Sequence, residues 1–138
     1  MNIKIHDGFE KMNFDKVTQM LSNAFWSKDI GIDEVKQGAL NSSLVVGAFS
    51  GGIQVGYARV ISDKTRFAYI ADVYVDEKYR NNGIAKKMML YMLSHKSLKD
   101  VYHWVLISAA KELYEKVGFV GVSEPERWME MRSERPKR

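Results

Sequence analysis

The sequence predicts a mixed α/β (α+β) domain, in which one sheet carries helices on its faces. Three observations predict it. Several short segments are rich in β-branched and aromatic residues or alternate apolar with polar ones, as half-buried strands do. Other segments repeat apolar residues at helical spacing. Read along the chain, the order is strand, two helices, a three-strand meander, helix, strand, helix, strand.

The alternation Asn2-Ile3-Lys4-Ile5-His6 suits a first strand, closed by the turn Asp7-Gly8. Asn13 is placed to cap a helix in which Phe14, Val17, Leu21, Ala24 and Phe25 share a face. Gly31 interrupts the pattern, and Asp33 is a cap for a second helix reaching Leu40. Residues 43–50 and 53–62 are strand-like and flank Gly51-Gly52, a strong hairpin signal. After the polar turn at 64–66, residues 67–75 form the third strand of the meander. A polar loop at 76–82 leads to a helix near Gly83, with Ala85, Met88, Met89, Met92 and Leu93 on one stripe. Residues 101–107 read as a strand that, following a helix, pairs parallel to 67–75. A helix over 109–117 stops at Gly118, and 128–132 forms a last strand. Residues 1–132 therefore make one domain, and 133–138 a frayed basic tail.

Composition narrows the function classes. The chain of 138 residues is 46% hydrophobic and 28% charged, which excludes disorder and collagen. Its longest apolar stretch falls short of the roughly 18 residues of a membrane span. The early residues are charged and show no signal peptide, so the default compartment is the cytoplasm. No cysteine is present, which removes disulfides, thiolate metal sites and an acyl-cysteine intermediate. His6, His95 and His103 have no metal-ligand spacing and read as structural. The 21 Lys and Arg exceed the 17 Asp and Glu by four, favouring anionic partners in general. No aromatic-basic pattern supports nucleic-acid binding.

The informative stretch runs from Val73-Tyr74-Val75 through Asp76 to Arg80-Asn81-Asn82-Gly83-Ile84-Ala85-Lys86-Lys87. A strand ends, a polar loop follows and a helix starts at a glycine. Helix N-termini hold unpaired N–H groups at the positive end of the macrodipole, which suits a phosphate. Arg80, Lys86 and Lys87 place cations at the same spot, where lysines otherwise oppose the dipole.

Arg80 to Ala85 resembles the Q/R-x-x-G-x-G/A acyl-CoA pyrophosphate loop of the GNAT superfamily of N-acetyltransferases, and Val73-Tyr74-Val75 resembles the V-x-V strand before it. Downstream, Ala110-Lys111-Glu112-Leu113-Tyr114-Glu115-Lys116-Val117-Gly118-Phe119 resembles that family's A-x-x-L-Y-E-K-x-G-F signature. The resemblance implies the GNAT fold: a mixed, mostly antiparallel sheet of six to seven strands flanked by about four helices. It implies acetyl-CoA as acyl donor, an amine acceptor, no metal, and a domain of a kind that often forms homodimers. Residue by residue, it implies that the backbone of Val73, Tyr74 and Val75 holds pantetheine in a gap beside strand 101–107. The N–H groups of Arg80, Asn81, Asn82, Gly83, Ile84 and Ala85 would cradle the pyrophosphate, with Lys86 nearby. The Arg80 side chain serves either the phosphate or the loop itself.

Tyr114 matches the tyrosine that protonates the departing thiolate in many members; a thiol near pKa about 8.5 and a phenol near about 10 are suited to sharing a proton. The other reading packs Tyr114 on the sheet with Leu113 and Phe119. Ile107 departs from the family's usual asparagine, and Ser108 is the nearest polar substitute. An alkylammonium must lose its proton before attack. Asp72, within the V-x-V strand, is the local candidate base, or else an ion-pair partner of Arg59 or Arg66. Trp26 either shapes the acceptor pocket or is an ordinary packed aromatic. The reading is direct acetyl transfer to a primary amine, with a small molecule slightly favoured as acceptor. The alternative is a CoA-binding module without turnover.

Overall fold

Five strands form one sheet in spatial order: β1 (Ile3–Asp7), β2 (Leu44–Ser50), β3 (Ile53–Ser62), β4 (Phe67–Val75) and β5 (His103–Val105). The computed structural model describes residues 1–138. The first three junctions are antiparallel and β4–β5 is parallel, as the helix between them requires. Gly51 and Gly52 both hold positive φ, the backbone a tight hairpin needs.

Helices α1 (Phe14–Ser22) and α2 (Ile32–Leu40) cover one face, and α3 (Ile84–Leu93) covers the other. Asn13 caps α1 by accepting from the Lys16 N–H at 3.2 Å. Phe14, Val17, Met20 and Leu21 of α1 join Val35 and Ala39 of α2 over Val45 and Tyr57. On the other face Ile84, Met88, Met89 and Met92 of α3 pack on Val46, Ala48, Val55 and Val60. Truncating one of those methionines to alanine costs about 2–5 kcal/mol. The central strands β2 and β3 are covered on both sides and are therefore buried almost throughout.

The sequence reading needs five corrections here. The cap of α2 is Gly31; Asp33 lies in the first turn, where it favours the helix dipole without capping. α1 ends at Ser22, so Phe25 leaves the apolar face and is exposed. The sheet has five strands, not six or seven. Residues 101–107 contract to β5, because Val101 is tied into a turn on Leu98 and the chain past Val105 leaves β4. Residues 128–132 pair with nothing: beyond Phe119 the only backbone bonds are the turn bonds Arg127 N–H to Glu124 and Trp128 N–H to Pro125. A two-residue period describes a ribbon but supplies no edge for it to pair with. The helix expected over 109–117 is α4 (Lys111–Glu115), followed by Gly118 in the left-handed region.

Candidate acyl-transfer site

The site is organised by a defect in β4. Tyr57 lies opposite Tyr74 and Arg59 opposite Ala71, so Asp72 and Val73 together face Ala58. This is a β-bulge, and Asp72 takes φ 57 to make it. Aspartate is among the few non-glycine residues that tolerate that region. Its carboxylate is held from two sides. Arg59 Nε donates to Oδ2 at 2.7 Å, and Trp26 Nε1 donates to Oδ1 at 2.9 Å. Of the two arginines offered by the sequence, Arg59 is therefore the partner. Trp26 is half-buried and sits edge-on to Tyr74. Two separately nominated residues, Trp26 and Asp72, are thus directly bonded.

β4 pairs with β5 only at Phe67, Ala68 and Tyr69. From Ile70 to Val75 that edge of β4 has no neighbouring strand. Val73 and Val75 turn their side chains toward the α3 face and Tyr74 toward α1 and α2, leaving backbone along the open edge.

The chain then enters the loop before α3. Asp76 caps a turn at Glu77–Tyr79 by accepting from the Lys78 N–H at 3.0 Å, and it accepts from Lys16 Nζ at 2.5 Å. Lys16 holds the Asp76 carboxyl below its ordinary range. The Arg80 side chain is committed to the loop: Nε donates to the Val75 carbonyl at 3.0 Å, and the guanidinium lies 5.1 Å from the Tyr74 ring centroid. Asn82 donates to the carbonyls of Tyr79 and Arg80. Gly83 has φ 73 and begins α3. The backbone N–H groups from Asn81 to Lys86 have no partner within the chain. They form a row of donors at a positive helix end, matched to an anion. The expected three-cation cluster is smaller than the sequence suggests. Lys87 donates to the Ile3 carbonyl at 2.9 Å instead, and exposed Lys86 is the cation left beside the row.

Tyr114 on α4 is buried at the main core and edge-on to Phe119. Burial pushes its phenol above the ordinary range, opposed by the Ser108 hydroxyl. It lines a cavity of about 800 Å³ between β5, α4 and residues 117–123, which Ser108 and Lys111 also line. Ile107, the departure from the family pattern, is exposed. A second cavity, of about 350 Å³, lies under α2 and is floored by Tyr57, Arg59 and Asp72. No group of three or more His, Asp or Glu side chains converges as a metal site, and no helix is long and apolar enough to cross a membrane.

Sequence reading missed Lys16, Tyr57 and Glu34 at this site. Lys16 meets Asp76 across 60 positions, and no local pattern signals such a contact. Tyr57 sits in a strand run whose composition says only that it is buried.

Comparison with known proteins gives consistent findings. The profile described as an acetyltransferase (GNAT) domain matches residues 41–121. A candidate acetyltransferase of the GNAT family from Xanthomonas campestris pv. campestris is similar at 31% identity. The match covers 96% of this chain and 94% of that one, with a TM-score of 0.89. A candidate acetyltransferase from meticillin-resistant Staphylococcus aureus shares the fold at 21% identity and TM-score 0.77, over 96% and 100% of the chains. A candidate acetyltransferase from Clostridium acetobutylicum, crystallised with acetyl-CoA, shares the fold at 15% identity and TM-score 0.71, over 95% and 96%. No protein of curated function matches the sequence.

Proposed function

The chain belongs to the GNAT acetyltransferase family and is an acetyl-CoA-dependent acetyltransferase, and on that premise we propose that it acetylates a primary amine by direct transfer with donor and acceptor bound together. One observation carries the reading: the partnerless N–H row from Asn81 to Lys86 continues directly from the open edge of β4. A pyrophosphate and an extended amide-bearing arm need those two surfaces, in that order. The donor, when bound, supplies an acetyl thioester. The N–H groups from Asn81 to Ala85, with Lys86, hold its phosphates, while Arg80 shapes the loop. The edge at Val73, Tyr74 and Val75 aligns the arm, and a strand N–H steadies the oxyanion.

Asp72 faces the smaller cavity and takes the proton that the attacking ammonium gives up. Tyr114 delivers a proton to the departing sulfur. Trp26 fixes the Asp72 carboxylate. Holding both substrates in one site supplies proximity, and no covalent enzyme intermediate is needed. A cavity of about 350 Å³ suits a small amine.

The test measures CoA release from acetyl-CoA with a panel of small amines, comparing wild type with Tyr114→Phe. Turnover on at least one amine, with kcat lower by about ten- to a hundredfold in the variant, is expected. Unchanged kcat in the variant removes Tyr114 as the acid. CoA binding with no turnover on any amine sinks the transfer reading in favour of a binding module.

A further inference from the structure

The smaller cavity carries a charge that the acetyl-transfer scheme does not use. Its lining includes Glu34, Arg59 and Asp72. Arg59 and Asp72 neutralise each other at 2.7 Å, which leaves the Glu34 carboxylate over. Its partner comes from 104 positions away: Arg138 Nη2 donates to Glu34 Oε2 at 2.6 Å and Nε donates to Oε1 at 3.2 Å. This is the two-pronged geometry of a specific guanidinium–carboxylate contact. The Arg138 side chain is only 17% exposed, unlike a basic group waving in solvent. Arg135 donates to the Trp26 carbonyl at 3.2 Å, so the same segment is pinned beside the residue that orients Asp72. Deeper in, Tyr57 lines the cavity with a buried hydroxyl that has no partner. Buried hydroxyls without partners are costly and rare. The cavity therefore offers a ligand a carboxylate at its mouth and a polar handle inside.

We propose that Glu34 is a cation subsite of the acceptor pocket, and that Arg138 is an internal occupant which the acceptor displaces. The acceptor class is then an amine bearing a second cationic group, a linear diamine or a guanidino amine. The second cation takes Arg138's place on Glu34 while the reacting amine reaches Asp72. An ammonium brings Glu34 the same charge as a point contact and a guanidinium can restore both prongs, so either exchange conserves charge at the carboxylate. A monoamine has nothing to offer Glu34 and leaves the segment seated. The role of the reacting amine rests on the acetyl-transfer reading, whereas the exchange at Glu34 does not.

The test has two arms. Arginine side-chain NMR of the whole chain, with Arg138→Gln identifying the signal, follows Arg138 during titration with putrescine or n-butylamine. Putrescine is expected to move the Arg138 Nε–H signal toward its position in Glu34→Gln, and butylamine to leave it in place. An Arg138 signal that ignores putrescine overturns the proposal whether or not the protein turns over. In the second arm, the putrescine-to-butylamine ratio of kcat/KM is expected to fall about fivefold in Glu34→Gln, the upper end for a partly exposed pair. The KM for putrescine is expected to drop in Arg138→Gln, where the competing cation is gone. A ratio unaffected by Glu34→Gln also overturns the proposal. Failure of acetyl transfer to every amine overturns the reaction reading instead, and the NMR arm then decides the cation site.

Discussion

The contact between Lys16 and Asp76 ties α1 to the loop that opens α3, and removing it should loosen the loop in a measurable way. Asp76 accepts from Lys16 Nζ on one oxygen and from the Lys78 N–H on the other. The two side chains are 22% and 15% exposed, so solvent screens them only in part. At roughly 4 Å and an effective dielectric of about 20, unit charges attract by about 4 kcal/mol. Desolvation and side-chain ordering reduce the net coupling to about 1–2 kcal/mol. A double-mutant cycle with Lys16→Met and Asp76→Asn, read by urea unfolding at neutral pH, should return that value. Asparagine keeps the turn cap, so Asp76→Ala should lose a further 0.5–1 kcal/mol or about that.

The pH dependence follows from sign. The Asp76 carboxyl is held below its ordinary value by Lys16, so its contribution is complete above about pH 4. It is lost as pH falls through the lowered folded value. Coupling should therefore shrink as pH falls below about 4, through the lowered folded value, and CoA affinity should weaken in either single variant. A coupling below about 0.3 kcal/mol, or one constant through the acid range, refutes the idea that this ion pair braces the loop.

Three further outcomes follow from the site. Gly83→Val forces a β-branched residue into φ 73 and should cost about 1–2 kcal/mol and weaken CoA binding measured by calorimetry. Gly83→Asn, which tolerates that backbone, should recover most of both. Asp72→Asn should lower kcat by about a hundredfold and destabilise by about 1–3 kcal/mol through the lost Arg59 pair. Equal destabilisation with intact kcat would make Asp72 a brace only. Because burial raises the Tyr114 phenol, the alkaline fall in kcat should lie above about pH 10. That limb should be missing in Tyr114→Phe, and a profile of unchanged shape would place the titration elsewhere.

What was legible in the sequence is what neighbouring residues determine together. Gly83, the loop before it and the helix after it are contiguous, so their spacing carried the phosphate reading without tertiary information. The pairing of Asp72 with Arg59 was half legible, because the hairpin order limits which strand lies beside β4. Lys16 with Asp76, Trp26 with Asp72 and Glu34 with Arg138 were not, since each joins elements whose approach is set by packing. The lysines show the same limit from the other side. Charge near a helix start suggested three cations at one anion, yet Lys87 reaches β1 and Arg80 bonds its own loop. Sequence places a charge on an element, and the length and direction of the side chain decide what it serves. Residues 128–132 failed as a strand for a related reason, because strand pairing is a property of two segments.

The bulge at Asp72 is the feature that adjoins both proposed substrate surfaces. Ala68 and Ile70 point into the α3-side core, and so do Val73 and Val75. Even-numbered positions before the bulge and odd-numbered positions after it share one face, which a two-residue period forbids unless one extra residue intervenes. Without it, position 72 would follow Ala68 and Ile70 into the apolar core and bury a carboxylate among methionines, at a cost of several kcal/mol. The left-handed φ of Asp72 turns that carboxylate to the opposite side, onto Arg59 and Trp26 and into the smaller cavity. The same extra residue sharpens the local twist of β4, and beyond Tyr69 the strand no longer tracks β5. One inserted residue thus lies beside the open edge proposed for the donor's arm and turns a carboxylate toward the cavity proposed for the acceptor. That coupling explains why a strained aspartate is held there by two hydrogen-bond donors, when a regular strand would have been easier to form.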